Sequence, residues 1–399
     1  MTSILTNIEN VEWVKEMAVH MTLIDGTLKE RTENNNRRQR FEILELLKTL
    51  NATEKLLIAK FFCKLPWNIG SLHVLGMLHD LRILTATEFI LSYNSNEDVQ
   101  LILNDFLESE YELITNLFIN STMDSSNAIR LNEILEVSLE NLFKDLIAKS
   151  DLNDLSYTKY LRNVVPAGEL LLKIIQKHLD VIVKLHQSSL NVTFQNFSSW
   201  INEGVDELKF PKNLYENLLL NNIEDSLSYI LKLSANDNFR DWKFYLIILQ
   251  ILRSRNNEKA GPFVRKHLKA RLKQCATVPC KRSMLNLLLT ARDSNAVTMD
   301  ITKNLNLYAD WYKNNIGEMK FFLKAEEFHN VINLLDQCIA YESELDYLEI
   351  HAAISISPPV LCGKIVQSYK SKCKQRLQQI KKGIKATDVD ESILIEDSN

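Results

Sequence analysis

Residues 170–185 read Leu-Leu-Leu-Lys-Ile-Ile-Gln-Lys-His-Leu-Asp-Val-Ile-Val-Lys-Leu. Apolar side chains recur here every three or four residues, at Leu170, Leu171, Ile174, Ile175, Ile182 and Leu185, and His178 falls on the same face. This spacing is typical of one face of an α-helix, whereas a half-buried strand alternates with a period of two. The same spacing recurs along almost the whole chain, and no long stretch alternates. The sequence therefore predicts an all-α protein.

The composition supports the same fold class. The chain has 399 residues with 9 Gly and 7 Pro, so the two together make up about 4% of it, against roughly 12% in average proteins. Strand-rich folds need frequent turns, which these residues supply. We expect about fifteen helices of roughly ten to twenty residues in stacked hairpins. Boundaries between helical segments are predicted at Pro66, Pro166, Pro211, Gly261-Pro262, Pro279 and Pro358-Pro359, because proline lacks the N–H that a helix interior needs. An irregular α-solenoid of the HEAT or armadillo kind and a large helical bundle both fit, because no Trp, Gly or Pro signature recurs at a fixed period.

Charge divides the chain into three predicted regions, although the formal net charge is only -4. Residues 1–252 contain 24 basic and 34 acidic residues and form a predicted acidic helical scaffold region. Residues 253–385 form a C-terminal helical region with two basic helices: residues 253–282 have ten basic and one acidic residue, and residues 364–385 have eight basic and none acidic. Residues 386–399 are predicted to be an acidic flexible tail.

The two basic blocks are amphipathic. In the first, Val264, Leu268, Leu272 and Cys275 share one face of a predicted helix, and the cations occupy the adjacent face. In the second, an apolar seam runs from Val366 through Tyr369 and Cys373 to Ile384. The predicted basic interaction surface consists of Arg265, Lys266, Lys269, Lys273, Lys370, Lys374, Lys381 and Lys382. An anionic partner, either a nucleic-acid backbone or an acidic protein surface, would be attracted there, and solvated helix faces are the alternative interpretation.

No motif for catalysis or cofactor binding is present. The sequence contains no Gly-rich phosphate-binding loop and no His-Glu-x-x-His. His267, Cys275 and Cys280 are the nearest approach to a metal cluster, but they offer only three ligands at an unfamiliar spacing, and structural zinc takes four. We therefore predict no catalytic residues, no metal site and no cofactor, and expect that the protein is not an enzyme.

The sequence also predicts a protein that is neither secreted nor transmembrane. Charged residues interrupt the first twenty positions, so no signal peptide is expected there. The longest strongly apolar run, Phe244–Leu252, has nine residues, far fewer than the ~20 that span a bilayer, and is predicted to be a buried core helix. Six scattered cysteines without a C-x-x-C pair are typical of a reducing compartment.

The acidic tail contains three consecutive aliphatic residues, Ile393, Leu394 and Ile395, framed by carboxylates. This stretch resembles a SUMO-interacting motif, in which an extended peptide adds a strand to a sheet edge and its acids meet a basic rim. A solubilising tail, or a tail that folds back on the preceding basic helix, would have the same composition. SUMO is therefore one predicted partner.

Together these features predict a non-enzymatic intracellular scaffold or adaptor subunit of a multiprotein complex, with the nucleus favoured over the cytoplasm. Its partners would be other proteins, held in grooves between helices and on the basic C-terminal surface, and no membrane contact is expected. The alternative is a nucleic-acid-binding protein that contacts a DNA or RNA backbone through the basic helices at residues 253–282 and 364–385.

Overall fold

The structure is a computed structural model that describes residues 33–383 apart from 95, 124, 149–155, 186–187, 200–213, 215–217, 219–222, 237, 256 and 299. The described residues contain eighteen α-helices and no β-strand, with one isolated bridge between Ser188 and Asp241. The predicted all-α class is thus confirmed. There are more helices than the fifteen predicted because four of them have fewer than ten residues. The choice between solenoid and bundle stays a prediction.

Contacts between Cα atoms group the chain into two compact units, residues 1–178 and 179–399. The predicted charge boundary after Leu252 lies within one helix of the second unit, and the division into three charge regions stays a prediction. The first unit contains α1 (Glu33–Thr49), α2 (Ala52–Phe62), α3 (Ile69–Asp80), α4 (Ala86–Ser92), α5 (Asn96–Glu108), α6 (Tyr111–Asn120), α7 (Ser126–Ala148), α8 (Ser156–Val164) and most of α9 (Glu169–Ile182).

Helices α2, α3 and α4 begin where polar side chains satisfy free backbone N–H groups of the first turn. The Asn51 side chain accepts hydrogen bonds from the amides of Thr53 and Glu54, both at 3.0 Å, and the Glu54 carboxylate accepts the Asn51 amide at 2.8 Å. Thr85 and Glu88 form the same reciprocal capping box before α4. Pro66 and Pro166 lie between helices, as predicted, because proline lacks the N–H that a helix interior needs.

The first unit packs around aromatic rings. The Trp67 ring lies 5.5 Å from Phe89 and 6.1 Å from Phe106, and its indole Nε1 donates to Asp105 at 2.7 Å. His178, on the helical face that the sequence predicts, is fully buried, and its Nδ1 donates to the Ile174 carbonyl at 2.8 Å. Burial lowers the pKa of His178 to about 4, so this ring is a neutral core residue at neutral pH.

The second unit contains nine helices in its described residues: α10 (Leu190–Gln195), α11 (Ile223–Leu233), α12 (Trp242–Arg255), α13 (Asn257–Thr277), α14 (Lys281–Asn295), α15 (Ile301–Tyr312), α16 (Ala325–Cys338), α17 (Leu345–Ala353) and α18 (Gly363–Lys381). A short π-helix (Lys313–Gly317) and two 3₁₀ helices (Met319–Phe321 and Ile339–Tyr341) join them. The apolar run Phe244–Leu252 lies in α12 and is buried almost throughout, as predicted. No described helix is both long and apolar enough to cross a membrane.

The role predicted for Pro262 is wrong. The sequence predicts a helix boundary at Gly261-Pro262, but α13 begins at Asn257 and continues through the proline. The buried face runs across this position from Ala260 to Val264, so side-chain packing outweighs the one backbone hydrogen bond that proline cannot donate. Pro279, by contrast, separates α13 from α14, and Pro358-Pro359 separates α17 from α18.

Helix α14 is the centre of the second unit. Every residue from Met284 to Asp293 is buried, and α14 contacts α10, α12, α13, α15 and α16. Its buried polar side chains bind different neighbours: the Asn286 Nδ2 donates to the Ser234 carbonyl at 3.0 Å, and the Thr290 hydroxyl lies 2.8 Å from the Tyr245 hydroxyl. These bonds compensate for the loss of water that burial imposes on each polar group.

Two buried ion pairs complete these contacts. The Arg253 Nη2 donates to the Asp293 Oδ2 at 2.8 Å, while burial still raises the pKa of Asp293 to about 6. Arg292 forms an ion pair with Glu342, with 0% and 3% of the two side chains exposed. Its guanidinium lies between the Phe194 and Tyr347 rings, 4.0 and 4.1 Å from their centroids. This single side chain therefore connects α10, α14 and α17.

Replacing Arg292 with Ala is expected to lower the free energy of unfolding by about 3–5 kcal/mol, because the Glu342 carboxylate is left buried without its partner. The double variant Arg292→Met, Glu342→Leu should lose less than the single variant, since no charge stays buried. Urea denaturation of the full chain, followed by circular dichroism, measures both. Lys381→Ala, which breaks the exposed Lys381–Glu349 pair, is the matched control and should cost less than about 1 kcal/mol. A loss for Arg292→Ala no greater than the control's would contradict this assignment.

Candidate interaction surface

Helix α13 has one buried face and one cationic face. Val264, Leu268, Leu272 and Cys275 are buried, as the predicted apolar stripe requires, and α13 packs against α11, α12, α14 and α16. Because these residues occupy the inner side of the helix, the cations beside them turn to solvent. The four predicted cations of this helix, Arg265, Lys266, Lys269 and Lys273, are all exposed, and we call them the α13 cation row.

Neighbouring side chains set the chemistry of the α13 cation row. The Lys269 ammonium lies 5.6 Å from the centroid of the Phe322 ring, so the row borders an aromatic residue at Lys269. Burial, with the repulsion of Arg271, lowers the pKa of His267 to about 4, so this histidine adds no charge at neutral pH. Between Glu258 and Arg282 the sequence has no carboxylate. The row is therefore cationic over about two and a half helical turns.

The second basic helix, α18, uses some of its predicted surface cations internally. Val366, Tyr369 and Cys373 are buried along the predicted seam. Lys370 is only half exposed, and its Nζ donates to the carbonyls of His351 and Ile354 at the C-terminal end of α17. A cation is favourable there because the last carbonyls of a helix have no intrahelical partner. Burial lowers the pKa of Lys370 to about 8, and we leave this residue out of the exposed surface.

The remaining predicted cations of α18 differ in their surroundings. The Lys381 ammonium lies 3.1 Å from the Glu349 carboxylate, so part of its charge is neutralised by α17. Lys372, which is not one of the predicted surface cations, forms a similar pair with Asp336 of α16 at 2.6 Å. Lys374 and Lys382 are exposed. The surface of α18 is consequently less cationic than its composition indicates.

Helix α16 contacts both basic helices. Its Asn330 Nδ2 donates to the Ala276 carbonyl in α13 at 2.9 Å, and its Asp336 binds Lys372 of α18. The buried face of α16 includes Phe328, Val331 and Leu335. The structure thus brings α13 and α18 to one three-helix group, in which α16 contacts each of them.

Two further sequence features are the thiol of Cys275 and the aliphatic residues of the acidic tail. Cys275 is buried, and burial raises the pKa of its thiol to about 12, which keeps it protonated. The described residues contain no group of three or more His, Cys, Asp or Glu side chains arranged to hold a metal ion. Ile393, Leu394 and Ile395 lie outside the described residues, so the SUMO-interacting motif stays a prediction.

The apolar residues that border the α13 cation row were not among the predicted site residues. Phe321 is 73% exposed and is followed by Phe322, which contacts Lys269. The only available signal was the short sequence Lys320-Phe321-Phe322, in which two adjacent aromatic residues cannot both face a core on one helical side.

Comparisons with known proteins identify the family. The family model described as Fanconi anaemia group A protein N terminus matches residues 33–382, which include all eighteen described α-helices. No curated protein and no solved structure matches the chain. The matched residues make up more than four fifths of the sequence. The chain therefore belongs to the family of the Fanconi anaemia group A protein N terminus.

Proposed function

We propose that this chain is a non-enzymatic subunit of a nuclear multiprotein complex and that it binds an acidic partner protein through the α13 cation row. The observation that carries the proposal is the exposure of Arg265, Lys266, Lys269 and Lys273 on a helix whose opposite face is buried. A cationic row fixed on a packed helix presents charge without first ordering a flexible segment, which reduces the entropic cost of binding.

Family membership supports the role as a component of a multiprotein complex. The buried titratable groups also favour a structural role over catalysis. Tyr312 and Tyr369 share a hydrogen bond at 2.9 Å, and the His351 Nε2 lies 2.9 Å from the Tyr308 hydroxyl. Burial lowers the pKa of His351 well below its usual range. These four side chains are buried among one another, which is typical of packing residues that share their hydrogen bonds.

Charge reversal of the row tests the proposal. In Lys266→Glu, Lys269→Glu the repulsion of an acidic partner should lower its recovery by about tenfold or more. The measurement is affinity purification of the tagged chain from cells with quantitative mass spectrometry. Lys303→Glu, which reverses an exposed charge on α15, is the matched control and should keep normal recovery. A wild-type chain that recovers no stoichiometric protein, or a double variant that recovers all of them equally, would contradict the proposal.

Direct binding of a nucleic-acid backbone is the second candidate function, and it is favoured by the same exposed cations. A labelled DNA or RNA duplex should then bind at low salt, and the logarithm of the affinity should fall linearly with the logarithm of the salt concentration. Removing two of about four phosphate contacts in Lys266→Glu, Lys269→Glu should also make that slope shallower by about two. Fluorescence anisotropy measures both quantities, and duplex binding unchanged by the double variant would exclude this function.

The acidic tail supplies a separate prediction. If Ile393, Leu394 and Ile395 bind SUMO as an added strand, the variant Ile393→Ala, Ile395→Ala should abolish binding because two aliphatic anchors are removed. Isothermal titration of the full chain with SUMO provides the measurement. The variant Asp388→Asn keeps the aliphatic residues and should retain most of the binding. Equal affinity of the wild type and the alanine variant would refute the SUMO proposal without affecting the α13 cation row.

A further inference from the structure

The three most exposed large apolar side chains in the described part of the chain all belong to the second unit. Phe321, Val360 and Leu361 are 73%, 86% and 96% exposed. Phe321 ends the 3₁₀ helix before α16, and Val360 and Leu361 lie in the loop between α17 and α18. Single exposed apolar residues are ordinary, but a cluster of them marks a binding surface.

Two contacts hold these segments side by side. The Ser357 amide donates to the Gly317 carbonyl at 2.9 Å, and the Cys362 Sγ lies 3.8 Å from the Ala325 carbonyl. Residues 357–362 therefore run alongside residues 317–325, with both ends of one segment attached to the ends of the other. Phe321 lies midway along residues 317–325. Val360 and Leu361 lie within residues 357–362, between the contacts made by Ser357 and Cys362.

The two segments approach each other closely at Gly317. A Cβ added at Gly317 would lie 3.0 Å from the Ser355 carbonyl oxygen, which is tighter than side-chain contacts normally allow. Glycine at this position therefore permits the loop to pack against the π-helix. The attachment is a packed contact between backbones, so the loop position is set by the fold.

The loop also holds Leu361 in an unfavourable conformation. Its φ is +76°, in the left-handed region that costs a residue with a Cβ roughly 1 kcal/mol or more. The Cys362 amide donates to the Pro359 carbonyl at 3.1 Å and closes the turn that imposes this angle. The protein thus sustains backbone strain in a turn whose outermost side chain is an exposed leucine.

The charges bordering this cluster have both signs, and the positive ones outnumber the negative ones. The Lys320 ammonium lies 4.9 Å from the centroid of the Phe321 ring, and Lys269 of the α13 cation row lies against Phe322. Lys324 and Lys364 are exposed where the two segments enter α16 and α18. Three carboxylates, Glu318, Glu326 and Glu327, share the 317–327 segment, and Glu327 caps the Lys324 amide at 2.8 Å. Together with the α13 cation row, these residues give the border of the cluster a net positive charge.

We propose that Phe321, Val360 and Leu361 form a docking surface for an acidic segment of a partner protein that carries large aliphatic or aromatic side chains. The apolar side chains of that segment would cover the cluster, and its carboxylates would face Lys269, Lys320 and Lys324. Charge complementarity thereby selects the occupant. This surface goes beyond the α13 cation row, since its apolar contacts do not depend on the four cations.

A peptide-display selection on the purified full chain tests this surface. A library of random peptides is selected on the wild type, and the consensus peptide is then synthesised. The test variant is Val360→Ser, Leu361→Gly, and the control is Leu101→Ser, which removes an equally apolar side chain that is 66% exposed on α5 of the first unit. Thermal unfolding should show the Leu361→Gly change to be neutral or stabilising, because glycine accepts a positive φ.

The expected consensus has a net negative charge and at least two aliphatic or aromatic residues. Its affinity for Val360→Ser, Leu361→Gly should fall about a hundredfold, since two apolar contacts are lost and each is worth about one tenfold factor, whereas Leu101→Ser should bind normally. Failure to enrich such peptides, or equal binding by all three proteins, would overturn the proposal. Lys266→Glu leaves the apolar cluster intact, and Val360→Ser, Leu361→Gly leaves the α13 cation row intact. A loss of peptide binding in the second variant but not in the first therefore tests this proposal separately from the proposed function.

Two further outcomes would also overturn it in favour of another occupant. In the first, the wild type selects no peptide but sediments with vesicles of phosphatidylcholine and phosphatidylserine, and the Val360→Ser, Leu361→Gly variant does not sediment. This result would indicate that the cluster binds a lipid surface. The second is a concentration-dependent dimer in light scattering that the variant abolishes, which would indicate a second copy of this chain.

Discussion

The burial of Arg292 is the constraint on which the second unit depends. A guanidinium removed from water must be balanced by an opposite charge and by groups that face its planar surfaces. Glu342 provides the charge, and Phe194 and Tyr347 provide the aromatic faces. Since these partners come from different elements, satisfying one side chain fixes the relative positions of α10, α14 and α17. An apolar residue at this position would pack, but it would not select these particular neighbours.

The position of α16 follows from the same centre, and the positions of both basic helices follow from α16. Residue Glu342 comes directly after the 3₁₀ helix that continues α16, so the Arg292 contact holds that end of α16 against α14. The Arg376 Nε also donates to the Glu342 carbonyl at 3.1 Å, which ties α18 to the same point. The packing of the inner faces of α13 and α18 thus determines which of their residues face solvent. The exposed cations are those that make no contact within the buried core.

Sequence patterns predicted the buried faces of these helices better than their exposed faces. The helical period located the buried residues of α12 and α13, because burial requires an apolar side chain at every inward position. Lys370 was misplaced on the surface because its partners are backbone carbonyls of α17, and backbone groups leave no trace in residue identity. Pro262 was read as a boundary because proline is usually one, and only the continuous packing of Ala260 and Val264 shows why the helix persists. The Phe321, Val360 and Leu361 cluster depends on two segments separated by about 40 residues, which no local pattern brings together.

The contact between Lys269 and Phe322 joins the cationic and apolar surfaces, and this favours a protein over a nucleic acid as the partner. Charge acts over a distance of about 10 Å at ordinary ionic strength and governs the rate of encounter, whereas apolar contacts act at short range and are not screened by salt. A duplex backbone would use the α13 cation row and leave Val360 and Leu361 exposed to water. An acidic protein segment with apolar side chains would use both surfaces at once, and it would cover the exposed leucine of the strained turn, which a duplex backbone would not.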